Sequence, residues 1–172
     1  MSDLCANCGR SGRKGCCVYE TIVLTREDVQ RIRSFLPESI QFYDICDLTS
    51  VQNERVARWA DGDPAWLRLV SAENGNARVL KTKQDGLCWF LEAEGCCLPM
   101  HVKPLVCRLY PYDRFSEFEL PEYPLQEDVN CPPELFVTSK NVAELIGVCR
   151  SDVEKWHAQL YKEINEEAGE RK

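Results

Sequence analysis

The chain has 172 residues, a formal net charge of −7 and a hydrophobic content of 44%. This length and composition suit one core of ordinary size, so we expect a single domain over residues 1–172. The acidic charge disfavours nucleic acid as a partner, because cations that neutralise phosphates supply most of the affinity for it. No apolar run approaches the ~18 residues of a membrane-spanning helix or resembles a signal peptide. We therefore expect a cytoplasmic protein with no membrane partner.

The first predicted elements follow a group of amino-terminal cysteines. Residues 18–24 (VYETIVL) are apolar and β-branched, which favours a strand. A helix is predicted through residues 29–36, where Thr25 and Asp28 form an N-cap arrangement and Pro37 marks the end.

The middle of the chain is predicted to mix helices, strands and irregular segments. Residues 38–73 carry a spaced set of apolar residues, which indicates one or two helices broken near DGDP at 61–64. A strand is predicted at 77–83 after the turn-forming ENGN, and a cysteine-bearing hairpin at 87–99. Four of the nine prolines lie in residues 120–135, so this segment is predicted to be irregular.

The carboxy-terminal part, residues 139–168, is predicted to be helical. Its main helix covers residues 151–164 and begins with a capping-box pair, Ser151 and Glu154. The tail after this helix, EEAGERK, is expected to fray in solvent. One face of the helix is apolar and is expected to close the core, with Val153, Trp156, Leu160 and Ile164.

Eleven cysteines are the most unusual feature of the composition. Eight of them lie in two dense clusters, in residues 5–17 and 88–107, while Cys46, Cys131 and Cys149 stand alone. Scattered cysteines commonly behave as small buried hydrophobic residues, and we expect this of Cys46 and Cys149. In a reducing cytoplasm, dense clusters instead indicate metal ligands or redox groups, because a soft metal ion holds several thiolates together.

The amino-terminal cluster reads CANCGRSGRKGCC. Cys5 and Cys8 stand three positions apart, a spacing at which a tight turn aims both sulfurs at one ion, and Gly9 can take the positive φ that such a turn uses. Cys16 and Cys17 are adjacent, so their side chains point opposite ways in extended backbone. We expect one of this pair at the same ion and the other at a second site or in the core.

The second cluster lies in DGLCWFLEAEGCCLPMHVKPLVCRLYPY. Together with CANCG, the first GCC and the later NCP, this segment resembles the YkgJ-type cysteine-cluster family, described as zinc- or iron-chelating domains. The resemblance covers roughly residues 5–26 and 86–112, with Cys131 in addition. The metal ligands that it implies are Cys5, Cys8, Cys16, Cys17, Cys88, Cys96, Cys107 and Cys131.

The chain departs from the family pattern in three places. Seven residues rather than two separate Cys8 from Cys16, which changes the local geometry of the amino-terminal ligands. Lys103 stands where the family usually has arginine. Cys97 stands where a small polar residue is usual, which adds a thiol whose role the sequence leaves open. His101, between two ligand cysteines, is a further candidate ligand.

Arg108 directly follows Cys107 in KPLVCRLYP. Its guanidinium is therefore a candidate to contact the cofactor, by a hydrogen bond to a thiolate-rich centre or by balancing its charge. The alternative is an ordinary surface arginine. If the centre lies beside a pocket, Tyr110, Tyr112 and His101 are candidates to line it, but the sequence assigns no reaction and no catalytic residue.

Eight thiolates suit two closed zinc sites, two iron–sulfur clusters, or one cluster and one zinc, since each centre uses four. Relatives in the family include proteins associated with iron–sulfur-dependent methyl transfer to flagellin, and this resemblance favours an iron–sulfur cluster, with 4Fe–4S as the expected form. Such a protein would support electron transfer or cluster-dependent modification and would meet a protein or redox partner. The alternative is a Zn²⁺-binding structural module or metal carrier. We expect an α+β fold with short strands, several helices and cysteine-bearing loops organised around the metal.

Overall fold

The computed structural model describes residues 21–48, 63–110 and 148–169, and these residues form helices and two small antiparallel sheets. The helices are α1 (Arg26–Phe35), α2 (Pro64–Val70), α3 (Leu105–Leu109) and α4 (Arg150–Gly169). Strands β1 (Tyr43–Cys46) and β2 (Ala77–Leu80) form one sheet, and β3 (Leu91–Glu92) and β4 (Gly95–Cys96) form the other. This mixture confirms the predicted α+β class. The irregular segment predicted at 120–135 lies outside the described residues.

Helix α1 begins with the predicted capping box. The Oγ1 of Thr25 accepts a hydrogen bond from the Asp28 N–H (2.9 Å), and the Asp28 carboxylate accepts one from the Thr25 N–H (3.1 Å). The helix ends at Phe35, shortly before Pro37, whose nitrogen has no hydrogen to continue it. The predicted helix is confirmed, and it starts almost one turn earlier than its apolar pattern suggests.

The described part of the strand predicted at 18–24 is extended but does not form a continuous strand. Val23 makes an isolated antiparallel bridge to Val79 of β2. Neighbouring side chains of extended backbone point opposite ways. Val23 and Leu24 accordingly belong to two different apolar cores.

Buried apolar side chains form these two cores. The helical core consists of Val23, Leu48, Ala65, Trp66, Leu69, Ala77, Leu105, Leu109, Val148, Val153, Leu160 and Ile164. The hairpin core consists of Leu24, Ile32, Phe42, Leu80, Phe90, Leu98 and Val102. Helices α2, α3 and α4 contribute to the first, and the hairpin that carries the second cysteine cluster packs against the other.

The described part of residues 38–73 contains a helix, as predicted, and a strand that the apolar pattern did not predict. Residues 43–46 form the strand β1, in which Tyr43 lies opposite Leu80 of β2. The DGDP motif begins a helix rather than only breaking one, because the Asp63 carboxylate accepts a hydrogen bond from the Ala65 N–H (2.9 Å) and Pro64 occupies the first turn of α2. The described part of this segment therefore contains one strand and one helix.

Helix α4 confirms the predicted apolar face but begins differently. Its buried residues include Val153, Leu160 and Ile164. The predicted capping pair of Ser151 and Glu154 is wrong, because Ser151 already lies inside the helix. No helix in the described ranges, including α4, has the length and apolar content needed to cross a membrane.

The carboxy-terminal end of α4 also differs from the expectation. The helix continues to Gly169, and Glu167 is only 3% exposed. Its carboxylate accepts hydrogen bonds from the Arg26 N–H and from Arg78 (3.0 Å). The expectation that the EEAG segment frays is therefore wrong, because two donors from elsewhere in the chain hold the last turn in place.

A buried carboxylate joins α1 to α3. Asp28 has no exposed surface, and its Oδ1 accepts hydrogen bonds from the Arg31 guanidinium (2.5 Å) and from the Leu105 N–H (3.0 Å). Pro104 precedes Leu105 and offers no side-chain acceptor to the start of α3. Asp28 therefore supplies, from 77 residues away in the sequence, the cap that α3 lacks locally.

Helix α4 joins the same network through Glu163. Its Oε2 accepts a hydrogen bond from the Thr25 hydroxyl (2.6 Å), and its Oε1 accepts bonds from Arg31 (2.5 Å) and Gln159 (2.8 Å). Each carboxylate oxygen of Asp28 and Glu163 thus has at least one donor. Such pairing offsets the large free-energy cost of burying charge.

The charges in this network depend on one another. Burial raises the pKa of Asp28, and the nearby Arg31 charge acts in the opposite direction. Burial lowers the pKa of Arg31, but its hydrogen bond to Glu163 and the charge of Asp28 outweigh that effect and leave it above its ordinary value. Arg31 therefore stays charged, and the loss of Asp28 would leave the buried N–H groups of Thr25 and Leu105 without their acceptor.

We predict that Asp28→Ala lowers the free energy of unfolding by about 3–5 kcal/mol, because it removes the acceptor for Arg31 and for two backbone N–H groups. Urea denaturation of the full chain, followed by circular dichroism, measures this change. Gln30→Ala is the matched control, since Gln30 is exposed on the same helix, and should change stability by less than about 0.5 kcal/mol. Equal free energies of unfolding for the two variants would contradict the proposed contribution of this network to stability.

Candidate metal centre

Three cysteines of the second cluster, Cys88, Cys96 and Cys97, lie on the hairpin or directly beside its strands. The carbonyl of Cys88 accepts a hydrogen bond from the Leu91 N–H (3.0 Å), and Leu91 lies opposite Cys96 in the β3–β4 pair. Gly95, the first residue of β4 after the turn, has φ +104, a conformation that favours glycine. Cys88 and Cys96 are both half-buried against the hairpin core. The predicted hairpin is confirmed, and it places these two predicted ligands on the same core.

A lysine holds this hairpin from the side. The ammonium group of Lys83 donates a hydrogen bond to the Leu91 carbonyl (2.5 Å) and lies 3.3 Å from the Glu92 carboxylate. These contacts attach the short β3 strand, which carries few backbone bonds of its own, to the preceding segment. Sequence reasoning did not single out Lys83, because nothing in its local motif indicates the contact.

Cys97 follows Cys96 but is placed differently. Its N–H donates to the Phe90 carbonyl (2.9 Å), and the residue is exposed, whereas Cys96 is half-buried. Desolvation by the surrounding protein, and then the Glu92 carboxylate, raise the pKa of the Cys97 thiol. Both effects favour the protonated form of this thiol. The structure thus separates Cys97 from the predicted ligand beside it.

Cys107 lies on the short helix α3. Its neighbours Leu105, Arg108 and Leu109 are buried, and Cys107 itself is half-buried. Because the start of α3 is held by Asp28, the position of Cys107 depends on the buried network of α1 and α4. The sequence indicated Asp28 only as a local cap of α1, and its second role follows from tertiary structure.

Arg108 holds the loop between the hairpin and α3. Its Nε donates to the Lys103 carbonyl and its terminal nitrogen donates to the His101 carbonyl, both at 2.8 Å. The side chain is 6% exposed, so the alternative of a surface arginine is wrong. Burial, and then the Arg31 charge, lower the pKa of Arg108, while the charge of Cys107 acts in the opposite direction. Direct contact of Arg108 with a cofactor stays a prediction.

The same contacts clarify two positions that the sequence left open. Lys103 and His101 each contribute a backbone carbonyl to the arginine, so these bonds do not depend on which side chain either position carries. The bond from Arg108 to residue 103 is therefore independent of the lysine side chain at that position. The side chain of His101 is exposed.

The two described solitary cysteines behave differently from each other. Cys46 is half-buried against the helical core, and burial followed by the Asp44 charge raises the pKa of its thiol, as suits a small core residue. The expectation that Cys149 is buried is wrong. Cys149 is exposed just before α4, where its Sγ donates to the Asp152 carboxylate (3.0 Å) and lies 3.0 Å from the Ser151 hydroxyl.

The remaining predicted site residues are not placed by the structure. Within residues 21–48, 63–110 and 148–169, no three cysteine, histidine, aspartate or glutamate side chains gather as a metal-binding group. Cys88, Cys96 and Cys107 therefore do not form such a group by themselves, and a complete site would need further ligands. The predicted site residues outside the described ranges are Cys5, Cys8, Cys16, Cys17, Tyr112 and Cys131.

Comparisons of the chain with protein-family models, with curated proteins and with solved structures find no match. The resemblance to the YkgJ-type cysteine cluster therefore stays a prediction from the sequence motifs. The prediction of a metal centre rests on the number of cysteines and their spacing.

We predict that Arg108→Lys weakens metal binding roughly tenfold, because lysine keeps the charge but cannot hold two carbonyls in the fixed geometry of a guanidinium. Competition with a chromophoric chelator, using Zn²⁺ and the full chain, measures the affinity. Arg33→Lys is the matched control, since Arg33 also donates to two carbonyls, those of Glu38 and Ile40, but lies at the end of α1. An Arg108→Lys variant that binds as tightly as Arg33→Lys would contradict the positioning role.

Proposed function

We propose that this chain is a cysteine-ligated metalloprotein that holds an iron–sulfur cluster, with 4Fe–4S as the form. A 4Fe–4S cluster uses four thiolates, and the eight cysteines proposed as ligands are twice that number. The proposed ligands are Cys5, Cys8, Cys16, Cys17, Cys88, Cys96, Cys107 and Cys131.

The observation that carries the proposal is the dense clustering of the cysteines, together with the placement of three predicted ligands. Cys88, Cys96 and Cys107 are half-buried on short segments that side chains hold from outside, whereas Cys97 and Cys149 are exposed. The solitary Cys46 is also half-buried, but it lies outside both clusters and packs against the helical core. Half-burial beside apolar residues shields a cluster from water while its sulfurs stay close to the surface. This placement supports a ligand role for the first three and a different role for the other two.

A bound cluster would supply one-electron chemistry at a potential set by its charge, its solvent exposure and hydrogen bonds to its sulfurs. Two of the described side chains would position its ligands. Lys83 donates a hydrogen bond to the hairpin of Cys88 and Cys96, and Arg108 donates one to the loop that leads to Cys107. We propose electron transfer or cluster-dependent modification with a protein or redox partner, in the cytoplasm, where thiols stay reduced.

We predict that anaerobic purification yields a brown protein with broad visible absorption, iron and acid-labile sulfide. An optical spectrum with metal and sulfide assays on one sample tests this. A colourless protein that contains zinc and no sulfide would contradict the iron–sulfur proposal and favour the structural or metal-carrier alternative, in which four thiolates close each site.

We predict that Cys107→Ser and Cys8→Ser each lower the metal content of the purified chain, because each removes a proposed thiolate ligand. Cys149→Ser is the matched control and should keep the full metal content, since that thiol is exposed and bonded to its own helix. Metal analysis per chain, with circular dichroism to confirm folding, compares the three variants. Metal loss in Cys149→Ser alone would show that the division of the cysteines is wrong.

A further inference from the structure

Helix α4 contains no predicted metal ligand. Its buried polar side chains nevertheless contact segments that are connected to other parts of the proposed site. Glu163 accepts a hydrogen bond from Thr25, which follows the amino-terminal cysteines in the chain. Through Arg31, the same carboxylate is joined to Asp28, which caps the helix of Cys107. One side chain of α4 is thus connected to the start of α1 and, through Arg31 and Asp28, to the helix that carries Cys107.

Three further contacts bind α4 to the same part of the molecule. Glu167 accepts hydrogen bonds from the first backbone N–H of α1 and from Arg78 of β2. Tyr161 donates to the carboxylate of Asp63 (2.5 Å), which caps α2. Helix α4 therefore fixes the starts of α1 and α2 directly, and it fixes the start of α3 through Arg31 and Asp28.

These hydrogen bonds form when α4 docks and are lost together when it undocks. Glu163 and Glu167 are 4% and 3% exposed, so water cannot replace their donors while the helix stays docked. If α4 undocks, Thr25 and Arg31 both lose Glu163 as an acceptor. Arg31 then still contacts Asp28, but Glu163 no longer fixes the position of its guanidinium. The start of α3, and with it Cys107, is then no longer fixed.

We propose that α4 is a clasp on the metal centre, so that metal binding and the docking of α4 stabilise each other, with Glu163 as the positioning residue. This inference rests on the proposed metal-binding function. Its basis is linkage: a metal that binds best when the helix of Cys107 is held in place favours the docked α4, and the docked α4 raises metal affinity by the same factor.

Hydrogen exchange and metal affinity of the full chain test this clasp. The chain is stripped with a chelator and then given Zn²⁺, or Fe²⁺ with sulfide under anaerobic conditions, at a temperature where circular dichroism shows every variant folded without metal. We expect the metal to slow exchange of the α4 amides about tenfold or more in the wild type. In Glu163→Gln, we expect this added protection to be lost and metal affinity to fall about tenfold.

Glu166→Gln is the matched control. Glu166 lies on the same helix in an exposed pair with Lys162 at 3.7 Å, so its variant should keep both the wild-type affinity and the metal-induced protection. Metal that binds Glu163→Gln with wild-type affinity and protects α4 equally in all three chains would overturn the clasp while leaving the metal site intact. A wild-type chain that takes up neither metal would overturn the proposed function and the clasp together.

Discussion

The buried carboxylate of Asp28 is the constraint on which the rest of the structure depends. It accepts hydrogen bonds from the N-cap of its own helix, from Arg31 and from the Leu105 N–H. Because this group has no exposed surface, water cannot substitute for a missing donor, and all three donors must be present at once. A residue of α1 thereby fixes the orientation of a helix 77 residues later. The position of Cys107 therefore depends on this long-range bond as well as on the contacts within its own segment.

This arrangement also explains how two separate apolar cores form one unit. Val23 packs into the helical core and its neighbour Leu24 into the hairpin core, so the boundary between the cores passes through the backbone of residues 21–25. Apolar packing within one core does little to fix the position of the other core. The hydrogen bonds of Thr25 to Asp28 and Glu163 lie at the end of the same segment and connect α1 to α4. Because such bonds are directional, they fix the relative placement of the elements in a way that apolar burial alone does not.

The sequence predicted the features that local chemistry determines. The Thr25–Asp28 capping box, the cysteine-bearing hairpin and the apolar face of α4 all follow from residues close together in the chain. The missed features depend on distant partners. Strand β1 is half-exposed and is specified by its pairing with β2, α3 needs Asp28 as its cap, and the last turn of α4 needs Arg78. The same limit applies to the candidate site: composition and motif indicated which cysteines to consider, whereas the exposure of Cys149 and the burial of Arg108 could not be read from spacing.

The surroundings of Arg108 change the expected role of its charge. The sequence suggested that this arginine balances a thiolate-rich centre, but the carboxylates of Asp28 and Glu163 already act on it in the same direction as Cys107 does. The nearby Arg31 charge opposes them, so the buried part of this region holds two guanidinium groups and two carboxylates before any metal is considered. These four charges already sum to zero without any thiolate. Its two fixed bonds to the carbonyls of His101 and Lys103 are the more specific contribution, which makes geometry, rather than net charge, the way this residue serves Cys107.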